Sequence, residues 1–194
     1  FFILIISLFS HNLYSKSYIS DFGFKIIIPD NYIVVAEDTL DETTDFVEEM
    51  GFDMSEWNTI LNGLSDEKTI TLYNIDDINK DFLHNINFSS EPVPYEHIKT
   101  SDLDAYCSYY QNMLKEISKK YIDQLACNLN RNPGINGNSL YMEHYGIFPE
   151  ALSIQYFFWI DNNTLVTSTL TCIKNECFED KMEFNKIISS LEKY

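Results

Sequence analysis

The sequence predicts a single α+β domain: an antiparallel sheet with helices packed on it. Three observations predict it. Several runs alternate apolar and polar residues with period two. Two stretches carry apolar residues at helical spacing. Their order is strands, acidic helices, strands, helix, antiparallel strands, helix, with no repeat, low-complexity tract or linker to divide the chain. The 194 residues, 45% hydrophobic and 15% aromatic, are enough for one domain with a sizeable core.

The first stretch, "FFILIISLFSHNLYSKS", is apolar from Phe1 to Phe9 apart from Ser7. It is too short to span a bilayer, which takes about 20 residues, and it reads as the apolar region of a secretory leader. Ser15 and Ser17 offer a cleavage site, giving a leader at 1–17 and a domain at 18–194. The alternative is a first buried strand. No Cys follows the run, so a lipid anchor is not expected. The expectation is a periplasmic or secreted protein without stable membrane insertion once the leader is removed.

"FGFKIIIPDNYIVV" (22–35) predicts a hairpin. Phe22, Phe24, Ile26 and Ile28 alternate, Pro29-Asp30-Asn31 turns, and Tyr32 to Val35 returns. Leu40, Phe46, Val47 and Met50 suggest a short helix, and Ser55 caps a second that stops at Gly63. "KTITLYNI" (68–75) is a strand and "HNINFSS" (84–90) a weaker one. "EPVPYE" is a loop because Pro92 and Pro94 exclude a central strand. Ser101 caps a long helix with Leu103, Cys107, Tyr110, Leu114, Ile117 and Tyr121 in one stripe. Strands follow at 139–146, 152–160 and 165–172, the last two joined by a tight turn at Asp161-Asn162-Asn163. A final helix runs from about Phe178 to Lys193, with Met182, Ile187, Ile188 and Leu191 apolar.

Charge narrows the function classes. Thirteen basic residues against 30 acidic give a net charge of −17, which repels phosphate backbones and anionic lipid surfaces. Nucleic-acid binding is disfavoured. From Ile26 to Glu67 there is no Lys or Arg, and Glu37, Asp38, Asp41, Glu42, Asp45, Glu48 and Glu49 crowd the first half of that span. They are the candidate contact surface for a basic protein partner or divalent ions. A solvated helix face is the plainer alternative.

Cys172 and Cys177 lie at the junction of the last strand and last helix. Zinc sites need a second close ligand pair, but Cys107 and Cys127 are far apart in sequence, and His11, His84, His97 and His144 form no pair. A redox motif would be Cys-x-x-Cys, and Glu176, Glu179 and Asp180 would raise a thiol pKa by repulsion. An even cysteine count behind a leader favours disulfides, Cys172–Cys177 and Cys107–Cys127, with unpaired buried thiols as the alternative, above all for Cys107 in its apolar stripe. "DINKD" (77–81) starts like a calcium loop. It has Phe82 in place of the turn Gly and Phe88 in place of the closing Glu, which makes it a solvated turn. Glu143 and His144, adjacent on a strand, point to opposite faces and form no local acid–base pair. "YFFWI" (156–160) reads as a strand buried on both faces, with an aromatic ligand pocket as the alternative. No catalytic or phosphate-binding motif occurs, and no cofactor is expected.

"FGFKIIIPDNYIV" resembles the opening strand, Pro turn and strand of PsbP/Mog1-like proteins. "GINGNSLYMEHYG", "SIQYFFWIDNNTLVTSTLTC" and "FNKIISSL" are similar to the closing half of that fold. The resemblance covers roughly 18–35 and 134–192 and leaves 37–67 and 101–121 unaligned. It implies a non-enzymatic accessory, assembly or protein-binding factor, exported in many bacterial cases, and transfers no functional residue. The leading expectation is an exported partner-binding domain. A small-ligand or calcium binder, using the 37–56 carboxylates or a pocket near Trp159, is second. A thiol redox protein using Cys172 and Cys177 is third.

Overall fold

The computed structural model describes residues 15–36, 39, 43–45, 48, 55, 69–77, 82–94, 108, 112, 125–130, 139–145 and 151–194. For 125–130 and 139–145 it describes the backbone alone, Glu143 excepted. Among the described residues, ten strands and one long helix follow in order: β1 (Ser15–Ser20), β2 (Phe24–Pro29), β3 (Tyr32–Val35), β4 (Thr69–Asn74), β5 (Asn85–Glu91), β6 (Leu125–Asn130), β7 (Ser139–Tyr145), β8 (Ala151–Trp159), β9 (Leu165–Ile173), α1 (Cys177–Ser189) and β10 (Glu192–Lys193). A seven-stranded antiparallel sheet has the order β3-β4-β5-β9-β8-β7-β6, and a three-stranded sheet the order β1-β2-β10.

The expected hairpin at 22–35 is corrected here. The turn after Pro29 is present, but β2 pairs with β1 and β10, whereas β3 pairs with β4. The reason lies in the burial patterns. β2 alternates and needs cover on one face. All four β3 residues are buried and need cover on both, which a two-stranded hairpin does not supply. The chain therefore crosses from one sheet to the other at Asp30-Asn31. Gly23 makes the β1–β2 turn with φ +86°, a conformation glycine adopts without strain. Its N–H donates to the Ser20 carbonyl at 3.0 Å. β1 starts at Ser15, so the last residues assigned to the leader, Ser15–Ser17, pair with Ile27–Pro29.

The core lies between one face of the large sheet and a layer formed by β2 and α1. Register aligns Val34, Leu72, Ile86, Leu170 and Ile154 as one apolar row across five strands. Phe24 of β2 packs onto this face, its ring 5.4 Å from Phe88 and 6.2 Å from Phe158. Each such ring or aliphatic side chain, fully buried, contributes about 1.5–3 kcal/mol.

α1 adds Cys177, Phe184, Ile187, Ile188 and, just past its end, Leu191. The expected helix carries Met182 on its apolar face; the structure instead exposes Met182 and buries Asp180 and Phe184. Buried positions 177, 180, 184, 187 and 191 step by three and four, and Met182 falls between those steps on the other side.

β8 is buried on both faces along its aromatic end: Phe157, Phe158 and Trp159 are each 1% exposed. The Trp159 indole N–H donates to the Val93 carbonyl at 2.9 Å, tying down the Pro-containing loop. The turn at Asp161 is held by its own carboxylate, which accepts the Asn163 and Thr164 N–H groups at 2.7 Å. Those bonds hold the carboxyl below the usual carboxylate range. The helices expected at 40–63 and 101–121 lie outside the described residues, apart from helical Thr43, Thr44, Asp45, Glu48, Ser55, Ser108 and Asn112.

Candidate functional site

The start of α1 gathers the unusual chemistry. β9 carries buried Cys172 one residue before its end, a turn closes through the Glu176 N–H to the Ile173 carbonyl at 2.9 Å, and α1 begins at Cys177. A disulfide joins Cys172 to Cys177, with Cα atoms 5.4 Å apart. The two residues are 0% and 4% exposed, so an attacking thiolate has no open path to either sulfur. Cys107 lies outside the described residues, and Cys127 sits in β6, where the backbone alone is described.

The cross-link fixes the rotation of α1. Asp180, one turn on from Cys177, lies on the same face and points inward, where it is 6% exposed. Its Oδ2 meets His84 Nδ1 at 2.8 Å. His84 immediately precedes β5, in phase with Ile86 and Phe88, so its ring turns toward the core and is buried. The third member comes from the turn after β4. Asn74 Oδ1 accepts the Asp76 N–H at 3.1 Å, and the single 3-10 turn Ile75–Asp77 carries the Asp77 carboxylate inward. Asp77 Oδ2 lies 3.2 Å from the same His84 Nδ1. This corrects the solvated turn expected at 77–81 at its first residue alone: Asp77 is 2% exposed, and the other residues of that motif lie outside the described ones.

The imidazole's orientation follows from its other nitrogen. The Ile173 N–H donates to His84 Nε2 at 3.3 Å, which requires a lone pair there and places the ring proton on Nδ1, facing both carboxylates. Tyr32 of β3 stands beside the group. Burial, then Glu183, Asp180 and Asp77, push its hydroxyl far above the ordinary tyrosine range, and it stays protonated as a donor to Glu183. The arrangement clamps four pieces of the fold together: the turn after β4, the start of β5, the end of β9 and the first turn of α1. All three clamp side chains are buried, so the group orients structure or holds a small ion; a larger substrate has no access to it.

The residues singled out from sequence fall elsewhere. Asp45 and Glu48 are exposed, three apart on helical backbone; Glu37, Asp38, Asp41, Glu42 and Glu49 lie outside the described residues. Glu143 of β7 pairs with Lys181 of α1 at 2.8 Å, a bridge to the helix. His84 pairs with no other histidine or cysteine in sequence, yet its phase with Ile86 and Phe88 places it on the core face. Asp180 interrupts the apolar stripe of α1. Each is a polar residue at a core position, the pattern that demands a buried partner.

Comparison with known proteins bears on the fold. No family model matches the chain, and no curated protein matches it. Among solved structures it is similar to the solution structure of cyanobacterial PsbP from Synechocystis sp. PCC 6803, with a TM-score of 0.57 and 11% identity, over 94% of this chain and 94% of that chain. The chain has a PsbP-like fold. Among the described residues of this PsbP-like chain, no helix is long and apolar enough to cross a membrane.

Proposed function

We propose that this protein is an exported, non-catalytic accessory domain of the PsbP-like type that acts by binding a basic protein partner through its acidic surface. The observation that carries the reading is the fold likeness to cyanobacterial PsbP along nearly the whole of both chains. The net charge of −17, with the basic-free span from Ile26 to Glu67, selects the partner's charge. Asp30, Asp45 and Glu48 are exposed acidic residues of that span among the described ones. Burial of the disulfide supports a staple over a redox centre, and the inaccessible carboxylate–histidine group supports a structural role over catalysis.

The test is capture on the immobilised full chain from an extract of its own source, at low and moderate ionic strength. The reading expects a saturable, basic partner released as salt approaches about 0.15 M, where the Debye length falls to about 8 Å. It also expects weaker capture by an Asp45→Lys/Glu48→Lys variant. Capture indifferent to both salt and charge reversal would contradict it.

A further inference from the structure

We propose that Asp77, His84 and Asp180 form a binding site for a divalent transition ion of the zinc class. Three donor atoms, two carboxylate oxygens and one imidazole nitrogen, lie within 4.8 Å of one another, on side chains that are all more than nine-tenths buried. Zinc bonds to such ligands are about 2.0–2.2 Å long, so tetrahedral ligand atoms stand about 3.4 Å apart. The spacings from Nδ1 are 2.8 Å to Asp180 and 3.2 Å to Asp77, so the cage needs only a slight opening. The donors come from separate elements, the turn after β4, the residue before β5, and α1. The Cys172–Cys177 cross-link sets the helix that supplies one of them.

The donor set also selects the ion. Calcium takes six to eight oxygens at about 2.3–2.6 Å, whereas this cluster offers one nitrogen and two carboxylates, closely spaced. This cluster therefore fits a borderline ion that accepts imidazole better than it fits calcium. None of its three residues belongs to the acidic set proposed to meet a partner.

Binding carries a defined proton movement. The hydrogen bond from the Ile173 N–H to Nε2 assigns the ring proton to Nδ1. A metal takes the Nδ1 lone pair, so the proton moves to Nε2 and the Ile173 N–H loses its acceptor. No oxidation and no net proton release from the ring is involved.

The experiment is zinc titration of the full, disulfide-intact chain, read by the imidazole nitrogen resonances of His84 and the Ile173 amide. The expected result is one zinc per chain, with the His84 proton passing from Nδ1 to Nε2 and a shifted Ile173 amide. His84→Gln is expected to weaken zinc binding at least tenfold, as is Asp180→Asn. Calcium at the same concentration is expected to leave both resonances in place. Zinc uptake that leaves the proton on Nδ1 would place the ion elsewhere and overturn the proposal, as would no uptake at all. An equal response to calcium would overturn the ligand class. The wild-type resonances decide the matter even if a variant fails to fold.

Discussion

The two ends of α1 are held by different physics. At its start, a disulfide and three buried ionisable side chains fix the helix to β4, β5 and β9. At its finish, Phe184, Ile187, Ile188 and Leu191 pack into the apolar core, and Ser190 Oγ bridges the Ile187 carbonyl at 2.6 Å and the Ile27 N–H at 2.9 Å. The finish is the ordinary solution: apolar area removed from water, with a hydroxyl closing the last turn. The start spends desolvation on polar groups that hydrophobic residues could replace at little loss. A fold that keeps such a cluster has a use for its direction or its chemistry, and this contrast marks the start of α1, not its finish, as the place to look for function.

Substitutions at each end sharpen the contrast. His84→Ala is expected to have the largest effect, about 3–5 kcal/mol, because it leaves the two buried carboxylates facing each other. Replacing all three clamp residues with apolar ones of similar volume is expected to cost far less than that single change. Urea denaturation of both variants checks the pair, and a triple variant no better than the single one would mean that the cluster is not a desolvated unit. At the finish, Phe184→Ala should cost about 3–4 kcal/mol through cavity formation, with no apolar-for-polar rescue available.

Smaller effects come next. Removing the cross-link as Cys172→Ala/Cys177→Ala is expected to cost about 2 kcal/mol, since the closed loop is short. It should also loosen the Asp180–His84 contact, seen as faster amide exchange in the first turn of α1 relative to the last. Ser190→Ala should cost about 1 kcal/mol and raise exchange at Ile27 alone. The smallest effect belongs to a control away from both ends. Asp161→Ala is expected to weaken the β8–β9 turn at neutral pH. Because the folded carboxyl titrates below its unfolded value, that contribution is present above the ordinary carboxylate range. It disappears as pH falls through the folded pKa, so the variant and wild type should converge in acid.

The finish of α1 is legible in the sequence and its start is not. Ile187, Ile188 and Leu191 are apolar residues at helical spacing, period-two alternation marks β4, β5 and β9, and a continuous aromatic run marks β8, because these signals are local. The α+β class follows from their order. β1 and β10 escape such patterns: one sits in a serine-rich stretch that reads as a leader, and the other has only two residues. β6 escapes too; its run, "LACNLN", is short and weakly patterned. The switch of sheets between β2 and β3 depends on what covers each face, which no local pattern states. The clamp is hidden for the same reason: Asp180 and His84 are 96 residues apart in sequence. What is visible is each polar residue in an apolar phase, a question without its answer.

The most direct test of this account is the protonation pattern of His84 in the metal-free protein, read from its imidazole nitrogen resonances. The account predicts a proton on Nδ1, a bare Nε2, and coupling from Nε2 to the Ile173 amide across their hydrogen bond. A proton on Nε2, with no link to Ile173, would contradict it. The start of α1 would then not be held by Asp77, His84 and Asp180 in the way described.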